Sequence, residues 1–492
     1  MKTTLQTRFP SPTKKSWLIT VITIRLLTIL VLFWLEDKDL SKGLIANLAT
    51  DSREYYLATA ANVAKNFSYS KHVGRPYAGH MPGYDFILAP LLWLLPQKVA
   101  LNTLCILQWT FGCISVYLLA RISYTLFNNF QIFILTLVGY SLNTYVAYYD
   151  FFVLTESLAI SCLITGIFFY LRGGNYNLII SGAFFTWAFF LRPYLLPILV
   201  FFALGLFYKY RKENKLRLLL NLIFFMLAFI LAESAWVIRN YIHFKKIVPL
   251  IVEEQIFGKG RMSALRDFIA SIGGDKTFWN PNAEIMVFYD SRINKLVPAR
   301  YQNPEDLPKY MFTSYYNADS LRKLREWYYL ADTTSSVELQ NYADSVVIAT
   351  IERYKTSFIK EKPFYYYIVA PLRILMKFLV HSGTYNLNSV PFEQLSVYKK
   401  ILKIAYSALY YFTWLFGIIA CSIVLFHLPL QHHFHSVLVA LTGIYPIVLF
   451  PIIYRSAEYR YFALSYPFLF MVAVWLLSII LTKLKTLHKY LI

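Results

Sequence analysis

Residues 17–35 read WLITVITIRLLTILVLFWL, a mostly apolar run close to the length of about 20 residues that a helix needs to cross roughly 30 Å of hydrocarbon. Runs of the same kind recur at Leu101–Leu119, Gln131–Tyr149, Leu218–Ile238, Ile404–Leu425 and Phe462–Leu481. Of the 492 residues 57% are apolar and 18% aromatic, more apolar surface than one soluble core hides. The solvent for these segments is lipid. An open sheet would leave backbone groups unsatisfied there, so the runs are helices and the expected fold is an all-α polytopic membrane protein. The first run lacks a small-residue cleavage pattern after it and is expected to be retained. Cys105, Cys113, Cys162 and Cys421 all fall inside apolar runs and read as small buried hydrophobes.

The formal charge is +21, yet the basic residues are scattered over helix ends and loops, which argues against a nucleic-acid partner. Topology explains them. Lys2, Arg8, Lys14 and Lys15 precede the first run; Lys209, Arg211, Lys212, Lys215 and Arg217 face only Glu213 in a short loop; Lys483, Lys485 and Lys489 close the chain. By the positive-inside rule these three segments are cytoplasmic, which requires an even number of spans. About ten are expected, near 16–35, 99–121, 130–149, 156–171, 177–191, 194–209, 217–238, 402–426, 434–454 and 461–482. The chain then divides into a transmembrane module over 1–238, a non-cytoplasmic loop domain over 239–401 and a second transmembrane module over 402–492. Residues 36–98 form a first outside loop. Tyr84–Leu95 and Phe364–Val380 are apolar but short or charge-interrupted, and are expected to lie on the membrane as interfacial helices.

The 239–401 loop has the composition of a small α-rich soluble insertion. Gly258, Gly260, Gly273, Gly274 and Asn303-Pro304 mark turns. Ser335 followed by Glu338 reads as a capping box opening an amphipathic helix to about Lys360, before Pro363. There is no Walker A loop, G-x-G-x-x-G, H-E-x-x-H or CxxC pair, so no nucleotide motif is present. His432, His433 and His435 fall in an expected cytoplasmic turn, and metal binding is not expected of them.

What remains is a set of polar residues near membrane ends, where charge is expensive and function is expected. The first outside loop contains Asp51-Ser52-Arg53-Glu54-Tyr55-Tyr56 and His80-Met81-Pro82-Gly83-Tyr84. Later come Asp150, Thr155-Glu156 at a span head, Arg192-Pro193, Trp236-Val237-Ile238-Arg239-Asn240, and Arg455 with Glu458-Tyr459-Arg460-Tyr461 before the last span. On the expected topology all lie toward one outside face.

In order and placement these motifs resemble the GT-C glycosyltransferases, closest to the bacterial relatives of protein O-mannosyltransferases and of the aminoarabinose transferases that modify lipid A. The resemblance covers residues 16–245 and, more loosely, 400–482. It implies a polyprenyl-phosphate-linked sugar donor drawn from the membrane and inverting transfer outside the cytoplasm, in a bacterial inner membrane. The acceptor hydroxyl or phosphate stands open between lipid, glycan and protein. Such chemistry needs a base for the acceptor and cations for the leaving phosphate. Asp51 is the expected base, its alternative being an N-cap for the helix that follows. Glu156 is the expected second catalytic carboxylate, with Asp150 its rival, and a divalent cation on Asp51 and Glu156 stays open. Arg460, Arg239, Arg455, Arg192 and His80 are the expected donor-phosphate ligands; Tyr55 and Glu458 complete the expected site. A transporter or flippase for lipid-linked glycans, or a polysaccharide ligase or polymerase, is the alternative function. The absence of a visible internal duplication disfavours a transporter.

Overall fold

The computed structural model describes residues 13, 15–252, 255, 260–274, 309–384, 387 and 390–491. The turns expected at Gly258 and Asn303-Pro304, and the basic residues Lys2, Arg8 and Lys14, lie outside the described residues.

Every expected span coincides with a helix. In chain order the helices are α1 (Ser16–Leu35), α2 (Leu57–Asn66), α3 (Asp85–Leu94), α4 (Gln97–Phe127), α5 (Phe130–Ser141), α6 (Thr144–Ala147), α7 (Glu156–Arg172), α8 (Asn175–Leu191), α9 (Leu196–Tyr210) and α10 (Lys215–Phe244). They continue with α11 (Arg261–Ser271), α12 (Ala318–Thr333), α13 (Val337–Glu361), α14 (Ala370–Leu379), α15 (Val397–Phe426), α16 (Leu430–Val448) and α17 (Tyr466–Leu491). A two-stranded antiparallel hairpin, β1 (Ser70–His72) and β2 (Arg75–Pro76), follows α2.

Among the described residues seven helices are long and apolar enough to cross a membrane, and the pair α5 and α6, bent by 47°, makes an eighth. The bend has a local cause: the Asn143 side chain accepts a hydrogen bond from the Val146 N–H at 3.1 Å and so starts a new helix inside the span. α7 and α8 have 17 residues each. At 1.5 Å per residue that is about 26 Å, somewhat short of the hydrocarbon core. The remaining two of the ten expected spans fall on these shorter helices, which are not among the seven or eight. The chain is therefore an all-α polytopic membrane protein.

Asparagines punctuate the bundle. Asn128 ends α4 in the left-handed conformation, and Asn129 caps α5 by accepting from Gln131 N at 2.8 Å. Asn214 caps α10 in the same way. α10 runs to Phe244, six residues past the expected end of its span, and only 11% of its most apolar stretch is covered by protein. α7 is the opposite case, buried on all faces from Glu156 to Ile167 and packed between α4 and α8. The four cysteines are buried and unbridged.

Two compact units emerge: Met1–Val252 with Ser382–Tyr445 and Ala463–Ile492, and Glu253–His381 with Pro446–Phe462. The second unit has its own core, in which Ala343, Val347, Ile351, Tyr354 and Phe358 form the helical stripe of α13 and meet Leu265, Phe268 and Ile269 of α11. The cap of α13 is Ser336, whose hydroxyl accepts from the Leu339 N–H, rather than the expected Ser335. Glu338 consequently sits at the second helical position, where its charge favours the helix dipole but cannot close a capping box. The stretch expected as one interfacial helix over 364–380 is a π-helical turn, Tyr365–Val369, followed by α14. Gly260 and Gly273 carry positive φ, as the turns read from the sequence require.

Candidate functional site

The first unit gathers carboxylates, phenols and an imidazole from the segment between α1 and α4. The chain entering it is pinned by a short bridge, Asn47 N to Phe151 O at 2.6 Å and Val153 N to Asn47 O at 3.1 Å. Ser52 is fully buried; its hydroxyl accepts from Ala49 N and donates to Val153 O at 2.8 Å. These bonds fix the backbone of Asp51 without using its carboxylate. Asp51 has helical angles (φ −58°, ψ −36°) and makes no side-chain capping bond to the turn it precedes. An N-cap residue is extended and accepts such a bond, so the capping role is not what holds Asp51 here. Its side chain is half-buried.

The turn that follows, Ser52–Tyr56, is π-helical. Single π turns often occur at functional sites, because the extra residue rotates neighbouring side chains onto one face. Here Tyr55 lies 4.8 Å and Tyr56 5.5 Å from the His80 ring, and Tyr56 lies 5.0 Å from Tyr84. The Tyr77 hydroxyl shares a hydrogen bond of 2.5 Å with His80 Nδ1. Burial, then Tyr55 and Tyr56, then the charges of Asp51 and Asp85 push the Tyr77 phenol far above its ordinary range, so it stays protonated. The Lys71 ammonium on β1 sits 4.4 Å over the Tyr55 ring.

Asp85 was not singled out in the sequence. It is 3% exposed, Oδ1 accepts from the Thr59 hydroxyl at 2.8 Å, and Oδ2 has no partner among the described residues. Burial raises its pKa to about 7, with the Thr59 hydrogen bond opposing the shift. A carboxylate inside the apolar run Tyr84–Leu95 was the available signal.

Other motif residues build the frame around this cluster. Gly83 lies against the end of α8, where a Cβ would meet the Phe190 carbonyl carbon at 2.5 Å; its own carbonyl accepts from Trp187 Nε1 at 3.0 Å. Tyr84 donates to Gln108 on α4 at 2.8 Å. Arg239 gives two N–H groups to the Tyr69 and Tyr77 carbonyls at 2.6 and 2.8 Å and lies over the Tyr69 and Trp236 rings. Trp236 Nε1 donates to Leu250 O and Asn240 Nδ2 to Val248 O. Trp-x-x-Arg-Asn is thus a clasp that closes the end of α10 over the segment carrying Tyr69, Tyr77 and His80.

Glu156, fully buried, pairs with Arg192, and Asp150, equally enclosed, pairs with Arg25 and accepts from the Ser157 hydroxyl at 2.5 Å. Both carboxylates are thereby neutralised within the bundle. A divalent cation shared by Asp51 and Glu156 does not fit this arrangement, since Glu156 is enclosed with its arginine. Among the described residues no three of His, Cys, Asp and Glu gather as metal ligands.

In the second unit Arg455 adopts the left-handed conformation that ends the π turn Leu449–Tyr454, donates to Ala270 O at 3.0 Å and Tyr366 O at 2.9 Å, and stacks 4.0 Å over the Tyr366 ring. Arg460 pairs with Glu458 and lies over the Tyr461 ring. The structure therefore gives each expected phosphate ligand a protein partner: a carboxylate for Arg192 and Arg460, backbone carbonyls for Arg239 and Arg455, a phenol for His80.

No family model matches the chain, and no curated protein matches it. Among solved structures it is similar to the archaeal oligosaccharyltransferase AglB from Archaeoglobus fulgidus in complex with an inhibitory peptide and a dolichol-phosphate, with 10% identity and a TM-score of 0.45 over 96% of this chain and 51% of that one. The chain spans about half the length of that protein. A likeness at this level leaves the chemistry to be argued from the chain's own residues.

Proposed function

We propose that the chain is a membrane glycosyltransferase that takes a sugar from a polyprenyl-phosphate donor and transfers it, with inversion, to an acceptor hydroxyl on the non-cytoplasmic side, with Asp51 as general base. Asp51 accepts the hydroxyl proton as the oxygen attacks the anomeric carbon, and the sugar–phosphate bond breaks with its electron pair going to the phosphate oxygen. The observation that carries the reading is the setting of Asp51. It is half-buried and stands at a π turn beside a rim of phenols and an imidazole, whereas Glu156 and Asp150 are enclosed with arginines. Tyr55 and His80 are proposed to contact the acceptor. Glu156 and Arg192 then act by holding the head of α7 in place. Arg460, which pairs with Glu458 in the second unit, is retained as a proposed ligand of the donor phosphate on its sequence motif alone.

The test is turnover itself. Purified protein in lipid discs, given a labelled polyprenyl-phosphate sugar and a hydroxyl acceptor, should release polyprenyl phosphate and label the acceptor. Movement of the intact lipid-linked sugar across sealed vesicles without cleavage would instead identify a flippase.

A further inference from the structure

Gln108 stands in the apolar run of α4 and is fully buried. A primary amide inside a membrane helix is costly unless its polar atoms find partners, and this one has three. Nε2 donates to the Asp150 and Phe152 carbonyls, each at 2.9 Å, and Oε1 accepts from the Tyr84 hydroxyl at 2.8 Å. Backbone carbonyls can only accept, so they fix which end of the amide carries the hydrogens.

The two carbonyls belong to the short stretch from which the Asp51 backbone hangs. Phe151 O and Val153 N hold Asn47, and Val153 O takes the hydroxyl of Ser52, the residue after Asp51. The phenol belongs to the other half of the site: Tyr84 closes the His80-Met81-Pro82-Gly83-Tyr84 segment and lies 5.0 Å from the Tyr56 ring. The Asp150 end of the stretch is fixed independently, by Arg25 and by the Ser157 hydroxyl at 2.5 Å. Gly112, one turn after Gln108 on α4, leaves room for that ion pair, since a Cβ there would lie 3.2 Å from Asp150 Oδ2.

We infer that Gln108 is a positioning residue for the transfer step, its amide holding the anchor of Asp51 in register with the segment that carries His80 and Tyr84. This rests on the reading of Asp51 as base and says what keeps that base in place against the residues proposed to meet the acceptor. A misplacement of about 1 Å costs on the order of 10² in rate, so the loss falls on turnover rather than on donor binding. Leucine fills much the same volume as glutamine but makes none of the three bonds.

The experiment compares wild type, Gln108→Leu, Tyr84→Phe, the double variant and Tyr170→Phe, all as full-length protein in lipid discs. Tyr170 on α7 donates to Phe202 O at 3.1 Å, a buried bond that joins neither segment, and serves as the control for loss of a bond in the bundle. The readouts are kcat with the donor and acceptor of the turnover assay, binding of undecaprenyl phosphate, and amide hydrogen exchange over 47–57 and 80–86. Gln108→Leu should lower kcat about 10- to 100-fold, leave binding within a few-fold of wild type, and speed exchange in both segments. Tyr84→Phe should lower kcat less and speed exchange over 80–86 alone. Because both act through one contact, the double variant should be no slower than Gln108→Leu. Tyr170→Phe should turn over as wild type does.

A folded Gln108→Leu protein with wild-type kcat and exchange, beside an inactive Asp51→Asn protein, overturns this inference alone. An active Asp51→Asn protein overturns the reading of Asp51, while exchange still decides whether Gln108 joins the two segments. Equal losses of kcat in Gln108→Leu and Tyr170→Phe overturn the positioning role in favour of general weakening of the bundle. If Gln108→Leu does not fold, wild-type kcat in Tyr84→Phe overturns it.

Discussion

Replacing Asp85 by Asn should stabilise the protein at pH 8 and destabilise it by about 1–3 kcal/mol at pH 4. The carboxyl is enclosed, with Thr59 on one oxygen and no described partner on the other, and its pKa is raised to about 7. A carboxyl whose folded pKa lies above its unfolded value favours the fold only when protonated. Its contribution is fully present below about pH 4 and is lost as the pH climbs through about 7. The separation of about three pH units, at 1.36 kcal/mol each, amounts to roughly 4 kcal/mol between pH 4 and pH 8. Asparagine never ionises and can still accept from Thr59 through Oδ1, but it brings an amide group whose donors need partners, at a cost of about 1–3 kcal/mol. The net gain at pH 8 is therefore expected at about 1–3 kcal/mol. Thermal unfolding of detergent-solubilised wild type and Asp85→Asn across pH 4–8 reads it as a difference curve, in which groups common to both proteins cancel. Parallel profiles would refute the reasoning, because they would mean that Asp85 is ionised and solvated, or paired, in the fold.

The clasp predicts that Arg239→Ala loses two charge-assisted hydrogen bonds, each worth about 1.5–3 kcal/mol, and exposes the hairpin, so trypsin should cut faster at Lys71. An unchanged cleavage rate would remove the clasp. Glu156→Gln should destabilise by about 3–5 kcal/mol by leaving Arg192 enclosed without its counter-charge, and adding Arg192→Met should restore much of the loss; a single-variant loss below about 1 kcal/mol would show the pair to be hydrated. Arg460→Ala should weaken use of the lipid-linked donor more than Arg460→Lys, which keeps the charge but loses the planar fork. Wild-type donor saturation in Arg460→Ala would leave that residue as no more than the partner of Glu458.

The helices were readable because the hydrocarbon core imposes one length and one solution to backbone hydrogen bonding, so each apolar run announced its span. The bend between α5 and α6 and the cap at Ser336 depend on single side-chain bonds that neighbouring candidates, such as Ser335, could equally have made. The motifs could be found, but not their division of labour. Trp236, Arg239 and Asn240 spend their polar groups on carbonyls of distant segments, and nothing in their own spacing says so. The partner of Asp150 is Arg25, 125 positions away, whose signal was plain in hindsight: it is the one charge in residues 17–35. A charge in mid-span asks for a counter-charge, and the sequence holds too many candidates to choose among. Asp85 was hidden by its apolar surroundings, the same feature that raises its pKa.

The central claim is that the Asp51 carboxylate takes the acceptor proton. Transfer rates for Asp51→Asn and Asp51→Ala, measured beside donor binding on purified protein in lipid discs, test it most directly. Asparagine preserves size but removes the base, and alanine removes both, so both variants should bind donor normally and lose roughly 10²–10⁴ in rate. An Asp51→Asn protein that transfers sugar at close to the wild-type rate would contradict the claim and return Asp51 to a structural role.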